Sequence, residues 1–390
     1  MARGSGRPSV ERNDRRADIA HDVFDTVIVG GGQAGLATGY HLAKRGRSFV
    51  ILDAGERVGD PWRKRWDSLR LYSPAGYDGL PGLRFPAKRT AYPTAGEMAD
   101  YLEAYAAHFA LPVRSGVAVD TLARAGVRYV VTAGDRTFEA ENVVVATGVM
   151  QKPHVPDFAP ALDPRLTQLH SSDYRNPSQL QKGPVLVVGA SHSGADIAHE
   201  VAATHRTILS GVDTGQIPAS VDTRRGRMGF RLLTFAGAHI LTMDTPLGRK
   251  MRPHVRHGGA PLLRYRRKDL LAAGVERTHA RTVDVDDGRP VLEDGRVLDV
   301  RNVVWCTGFR PDFSWIEVPF ETGDDGYPVQ YRGAVESAPG LYFVGLLFLH
   351  SFTSMLVYGA GRDAERVAEH LVSRSASRVT AARTPAAVAT

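Results

Sequence analysis

Two glycine-rich turns are the residues best suited to chemistry. Gly30, Gly32 and Gly35 keep the spacing G-x-G-x-x-G inside GGGQAGL, after an apolar run at residues 24–30 and before a segment with an apolar face. In a strand–turn–helix, the first glycine permits the tight turn. The second lets a pyrophosphate approach the backbone, and the third lets the helix pack closely on the strand. Gln33 and Ala34 complete this turn. The helix that follows offers unpaired N–H groups and the positive end of its dipole to the phosphates. Asp53 closes the next strand, residues 48–53, where an acid hydrogen-bonds the adenosine ribose hydroxyls.

The second turn follows a strand at residues 184–189 and reads Gly189-Ala-Ser191-His192-Ser193-Gly194. Ser191 replaces the middle glycine; it still fits and can hydrogen-bond a phosphate. His192 and Ser193 are candidates for cofactor contact. The next strand, residues 206–210, ends without Asp or Glu. An acid there would select NADH and repel a 2′-phosphate, so its absence points to NADPH. Residues 142–148 and 302–308 are near-duplicate strands ending in Thr147-Gly148 and Thr307-Gly308. Each would return the chain from one nucleotide unit towards the other.

Holding two such turns takes two strand–helix–strand units, and 390 residues suffice for two domains or three. The single cysteine, Cys306, rules out a disulfide framework, a thiolate zinc site and a CxxC redox pair. It lies in an apolar strand and reads as an inert core thiol. No metal centre is expected, and a reducing, cytoplasmic compartment fits. Residues 1–21 lack an apolar core, so they read as a disordered tail rather than a signal peptide or anchor. Residues 373–390 read as a second tail. Residues 340–361 carry no Asp, Glu, Lys or Arg and could span a bilayer by length. Their pattern, GLYFVG and then His350, Ser351, Thr353 and Ser354, is instead that of a buried strand and a polar loop. The net charge of +7 is concentrated between Gln216 and Lys268, where twelve Lys or Arg face two Asp. The plain reading is a solvated surface; the sharper ones are a clamp for a cofactor phosphate or a contact for an anionic surface. No aromatic-plus-basic module suggests a nucleic-acid partner.

In chain order, GxGxxG, ATG, HxxxY, GxSxSG and TGFRPD resemble the class B flavin-dependent monooxygenases. That family includes the flavin-containing monooxygenases, the plant YUCCA type and the Baeyer–Villiger enzymes. The resemblance covers residues 24–371. It implies an α/β fold of two Rossmann-like dinucleotide-binding domains, the second inserted into the first. FAD would bind a domain of residues 22–164 and 306–372, and NADPH a domain of residues 165–305. The implied activity is hydride transfer from NADPH to FAD, then oxygen transfer from a C4a-peroxyflavin to a small organic substrate, with O2 as co-substrate. The alternative is an NAD(P)H-dependent reductase that serves another electron acceptor.

Residue by residue, the resemblance sets Trp62 and Arg63 along the flavin. The segment Trp66-Asp-Ser-Leu-Arg-Leu would approach from the substrate side. Val119, in a strand of a small β-region at 113–139, would give adenine a backbone contact. His170 and Tyr174 keep half of a linker motif whose Phe and Gly are here Pro164 and Leu166. His170 would position the nicotinamide. Tyr72 stands where the flavin-containing enzymes carry an active-site Asn, and Val212 where a family Arg often follows the strand. Arg224 or Arg225 would then meet the 2′-phosphate. His350 could touch flavin or substrate. A helix starting near Thr353 and reaching Leu371 would turn its N-terminus to the pyrimidine edge. The substrate walls are expected at residues 71–86 and 228–251. The second stretch reads first as a lid and second as a membrane-surface contact.

Overall fold

The computed structural model describes residues 21–217 and 223–383. Residues 1–20 of the expected N-terminal tail and 384–390 of the expected C-terminal tail lie outside the described residues. In chain order the elements begin with β1 (His21–Val29), α1 (Gln33–Lys44), β2 (Phe49–Leu52), α2 (Asp60–Arg63), α3 (Ala95–His108), β3 (Val113–Arg114), β4 (Thr121–Ala125), β5 (Arg128–Ala133), β6 (Arg136–Val145) and β7 (Lys152–Pro153). The chain continues through β8 (Thr167–His170), β9 (Val185–Val188), α4 (His192–Val201), β10 (Thr207–Ser210), α5 (Arg224–His239), α6 (Pro246–His257) and α7 (Arg267–Ala272). It closes with β11 (Glu276–Thr278), β12 (Thr282–Asp286), β13 (Arg289–Leu292), β14 (Asn302–Trp305), β15 (Phe309–Arg310), β16 (Leu341–Phe343) and α8 (Val357–Arg383).

Two separate sheets hold the two turns. The first runs β3-β2-β1-β6-β5-β4, and β16 lies parallel to the C-terminal end of β6. Strands β3, β2, β1 and β6 are parallel, whereas β5 and β4 add an antiparallel meander. The second sheet runs β11-β10-β9-β14-β8 and is parallel throughout. Parallel strands covered on both faces must be apolar along their whole length, not only at alternate positions. Accordingly FVIL in β2, VLVV in β9 and NVVW in β14 are buried at every residue.

The chain passes between the sheets on a two-stranded ribbon. Strand β7 pairs antiparallel with β15, and Lys152 forms a 2.6 Å ion pair with Asp312. Passage out to the second sheet and back thus occurs side by side, as an inserted unit requires. Helix α3 is fixed at its start by a Thr94–Glu97 capping box. Its Tyr105 hydroxyl donates to the Pro81 carbonyl at 2.7 Å, which pins the preceding loop.

Three sequence expectations need correction. The C-terminal tail does not begin at residue 373, because α8 continues to Arg383. Helix α8 starts at Val357 rather than near Thr353, since residues 351–354 form a hydrogen-bonded polar turn ahead of it. His21, given to the N-terminal tail, is the first residue of β1. The 340–361 segment is β16, a loop and the start of α8, and no described helix is long and apolar enough to cross a membrane.

Candidate functional site: two dinucleotide turns and the residues between them

At the first turn the glycines have different tasks. Gly30 has φ +110°, and a Cβ there would lie 2.6 Å from the Ala146 carbonyl oxygen. A Cβ at Gly35 would lie 1.9 Å from the Gly30 oxygen, so α1 can approach β1 only without one. At Gly32 a Cβ would meet nothing within 4 Å. Gly32 is also the N-cap of α1 and supplies no side-chain cap. The turn is thus closed on the protein side and open at the N–H groups, which fits a diphosphate. Asp53 is held by two backbone donors, Gly31 N at 2.5 Å and Gly55 N at 2.8 Å. Its own carbonyl accepts from Val117 N at 2.8 Å.

Val119 is not in a strand; it lies ahead of β4, half-buried. Val117, two positions earlier, is the residue whose N–H meets the Asp53 carbonyl. Gln33 donates to the Met355 carbonyl at 3.1 Å, tying the start of α1 to the loop before α8. Ala34 packs against Gly345, where an added Cβ would come within 2.8 Å. The N-termini of α1 and α8 therefore share one end of the first sheet. Trp62 packs against clusters from both units. Arg63 does not join the turn. It pairs with Asp60, Asp100 and Glu103, the last two on α3, and donates to the Val58 carbonyl.

The second turn repeats the geometry. Gly189 has φ +104°, and a Cβ at Gly194 would lie 1.7 Å from the Gly189 oxygen. Ser191 is the N-cap of α4 and makes no cap bond. Its hydroxyl donates to the Ala260 carbonyl at 2.9 Å, and His192 Nε2 bonds the Pro261 carbonyl at 2.8 Å. Burial lowers the His192 pKa. Ser193 lies in the first turn of α4, half-buried. The end of β10 is basic. Arg277 donates to the Gly211 carbonyl at 2.6 Å, and Arg267 pairs with Asp213, the first acid beyond Ser210. These two arginines, not foreseen, stand at the C-terminal end of β10. Arg224 opens α5, and the Arg225 side chain lies outside the described residues.

The two Thr-Gly endings meet at the ribbon. Thr147 Oγ1 and the Gly148 carbonyl both accept from Gln151, each at 2.8 Å. Thr307 donates to the His154 carbonyl, and the Gly308 carbonyl accepts from His154 N at 2.9 Å. His170 Nε2 also bonds the Gly308 oxygen, at 3.0 Å, while its Nδ1 meets Ser172 Oγ at 2.8 Å. A carbonyl can only accept, so Nε2 carries the proton. Burial lowers the His170 pKa and keeps the ring neutral. His170 therefore braces the return crossing.

Tyr174 is fully buried and donates to Glu200 at 2.9 Å; burial pushes its phenol far up. It is a core residue of the second unit. Tyr72 reaches across the units instead. Its hydroxyl donates to Asp196 on α4 at 2.9 Å, and its ring lies 4.5 Å from His192. Arg264 stands 5.4 Å from the same ring. Burial pushes Asp196 up to about 6. Its only sequence signal was an acid amid the apolar face of α4. His350 is buried, its Nδ1 has no hydrogen-bond partner among the described residues, and its Nε2 lies 3.8 Å from Asp244. Burial pushes its pKa down to about 4. Burial also pushes the Cys306 thiol up, as for an inert core cysteine.

Asp78 escaped the sequence reading altogether. It is fully buried, and its Oδ2 has no hydrogen-bond partner among the described residues. Ser73 donates to the other oxygen, and burial pushes the carboxyl up to about 7. A carboxyl with a raised folded pKa holds extra protons in the folded state between about pH 4 and pH 7. Stability from this group is full below that window and falls as pH rises through it. Asp78→Asn should remove the loss. We expect the variant to be about 2–4 kcal/mol more stable than wild type near pH 8 and close to it near pH 4. Urea unfolding at both pH values measures this; parallel curves for the two proteins would contradict it.

Comparison with known proteins places this geometry. Residues 27–222 match the family described as pyridine nucleotide-disulphide oxidoreductase. The chain is 38% identical over 344 residues to an uncharacterized CzcO-like oxidoreductase of Geobacillus kaustophilus, covering 88% of this chain and 97% of that one. It is 28% identical to the probable indole-3-pyruvate monooxygenase YUCCA3 of Arabidopsis thaliana, over 89% and 86% of the two chains. Among solved structures, a flavin-containing monooxygenase from Stenotrophomonas maltophilia superposes with a TM-score of 0.71 at 28% identity, covering 91% of this chain and 99% of that one.

Proposed function

Because the chain belongs to the pyridine nucleotide-disulphide oxidoreductase family, as a flavin-dependent oxidoreductase whose cofactors are FAD and NADPH, we propose that it is a monooxygenase that leaves one oxygen atom of O2 in a small organic substrate. The single thiol carries this reading. A dithiol relay needs two cysteines, and this chain has one, Cys306, at the end of an apolar strand. Electrons therefore leave towards O2 or a small molecule. The named monooxygenases among its relatives support the first route.

FAD supplies hydride acceptance and electron transfer to O2 when bound, and NADPH supplies the hydride. The chain's own residues bind and orient. Residues 21–164 and 306–383 form the FAD unit, with Gly30, Gly32, Gln33, Ala34 and Gly35 around the diphosphate and Asp53 on the ribose. Residues 165–305 form the NADPH unit, with Gly189, Ser191, His192, Ser193 and Gly194 at its turn. Arg267 and Arg277 favour a 2′-phosphate by charge. The N-terminus of α8 stabilises negative charge beside it. His170, Thr147, Gly148, Thr307 and Gly308 fix how the two units face each other.

Tyr72 favours a second reading, an NADPH-dependent reductase that adds no oxygen to its product. Its hydroxyl is engaged by Asp196, so it offers no amide-like donor where the flavin-containing enzymes have Asn. The test is the fate of O2. A monooxygenase yields a product heavier by one oxygen atom taken from O2, whereas a reductase oxidises NADPH in the presence of its acceptor and places no oxygen in the product.

A further inference from the structure

Helix α5 presents its apolar side outwards. Its inward face is small: Gly226, Thr234 and Gly237 are buried. A Cβ on Gly237 would lie 2.9 Å from the Phe352 ring, so no larger residue fits there. Its outward face carries Met228, Leu232 and Phe235, which are 65%, 68% and 61% exposed. Their spacing of four and then three residues puts them on one stripe of the helix. Leu233 and Ile240 beside them are exposed as well, as is Leu247 in the first turn of α6. A helix facing water normally buries such a stripe and shows its polar side. Several large apolar side chains grouped on a surface mark a binding face.

The surrounding charge identifies the occupant. Arg224, Arg231, Arg249 and Lys250 are exposed on the same two helices. The acid between the helices, Asp244, is ion-paired with Arg332 at 2.9 Å. A second copy of this chain, packed about a two-fold axis, would set cations against cations. A bilayer with anionic headgroups meets both requirements, an apolar layer for the stripe and negative charge for its rim. We propose that α5 and the first turn of α6 dock on an anionic membrane surface, with Met228, Leu232 and Phe235 entering the boundary between headgroups and acyl chains. The helix lies in the interface and does not cross it.

Flotation of the full-length, FAD-loaded protein tests this. The probes are vesicles of phosphatidylcholine alone and vesicles of phosphatidylcholine mixed equally with phosphatidylglycerol. Wild type should float with the mixed vesicles only and be released by salt. The double variant Leu232→Glu with Phe235→Glu should lower its partition at least ~10-fold while keeping its flavin and melting temperature. Arg231→Glu should weaken binding without removing the apolar stripe. Failure of wild type to float, or flotation of the double variant equal to wild type, overturns the proposal. So does self-association of wild type without vesicles that the double variant abolishes, which would assign the face to a second copy.

Discussion

Gly32→Leu should give a folded protein that purifies colourless. The backbone at Gly32 has φ −78°, which leucine adopts freely, and a Cβ there meets nothing within 4 Å. Nothing in the polypeptide therefore resists the change. The space it fills is that through which a pyrophosphate reaches the N–H groups opening α1. FAD affinity should fall by about two to three orders of magnitude. The flavin absorbance of the purified protein, read beside its circular dichroism, measures both parts. Gly35→Leu would not make this distinction, because its Cβ would lie 1.9 Å from the Gly30 oxygen and would damage the fold itself. A yellow Gly32→Leu protein with full flavin occupancy would mean that the FAD diphosphate lies elsewhere.

The complementary result is expected of Gly194→Val: flavin retained, reduction by NADPH lost. The added Cβ would lie 1.7 Å from the Gly189 oxygen, so α4 must withdraw from its turn. The first sheet shares no strand with that turn and should keep its FAD. Stopped-flow reduction by NADPH should slow by about 100-fold or more, since correct placement of the two reactants accounts for much of such a rate. Reduction by dithionite, which needs no nucleotide site, should be unchanged. Reduction by NADPH at the wild-type rate would place the nicotinamide cofactor away from Gly194.

These two turns were legible in the sequence because everything that defines them is local. Strand, glycine spacing and helix follow within about a dozen residues, and Gly35 and Gly194 each pack against the first glycine of their own turn. The parallel strands were legible for a similar reason, since burial on both faces leaves an unbroken apolar run. The partners of the site residues were not. Tyr72 meets Asp196 across 124 positions and Ser191 meets Ala260 across 69. No periodicity encodes such pairs; they follow from how the units pack. For Arg63 the resemblance named a place but not its partners, the acids Asp100 and Glu103 of α3. The C-terminal tail was misread from composition. Its Ala and Arg are strong helix formers, and α8 already has a buried start from which to propagate. Asp78 left no pattern at all, because a single carboxyl becomes unusual only once its surroundings are dry.

The most direct test of oxygen insertion is to run the NADPH-driven reaction under isotope-labelled O2 and weigh the products. Amines, sulfides, indoles and ketones form the substrate panel, and NADPH consumption is recorded alongside. The structure and its relatives lead us to expect at least one product that carries a single labelled oxygen atom, formed in proportion to the NADPH consumed. NADPH oxidation that yields only labelled hydrogen peroxide, with no label in any organic product, would contradict the monooxygenase assignment.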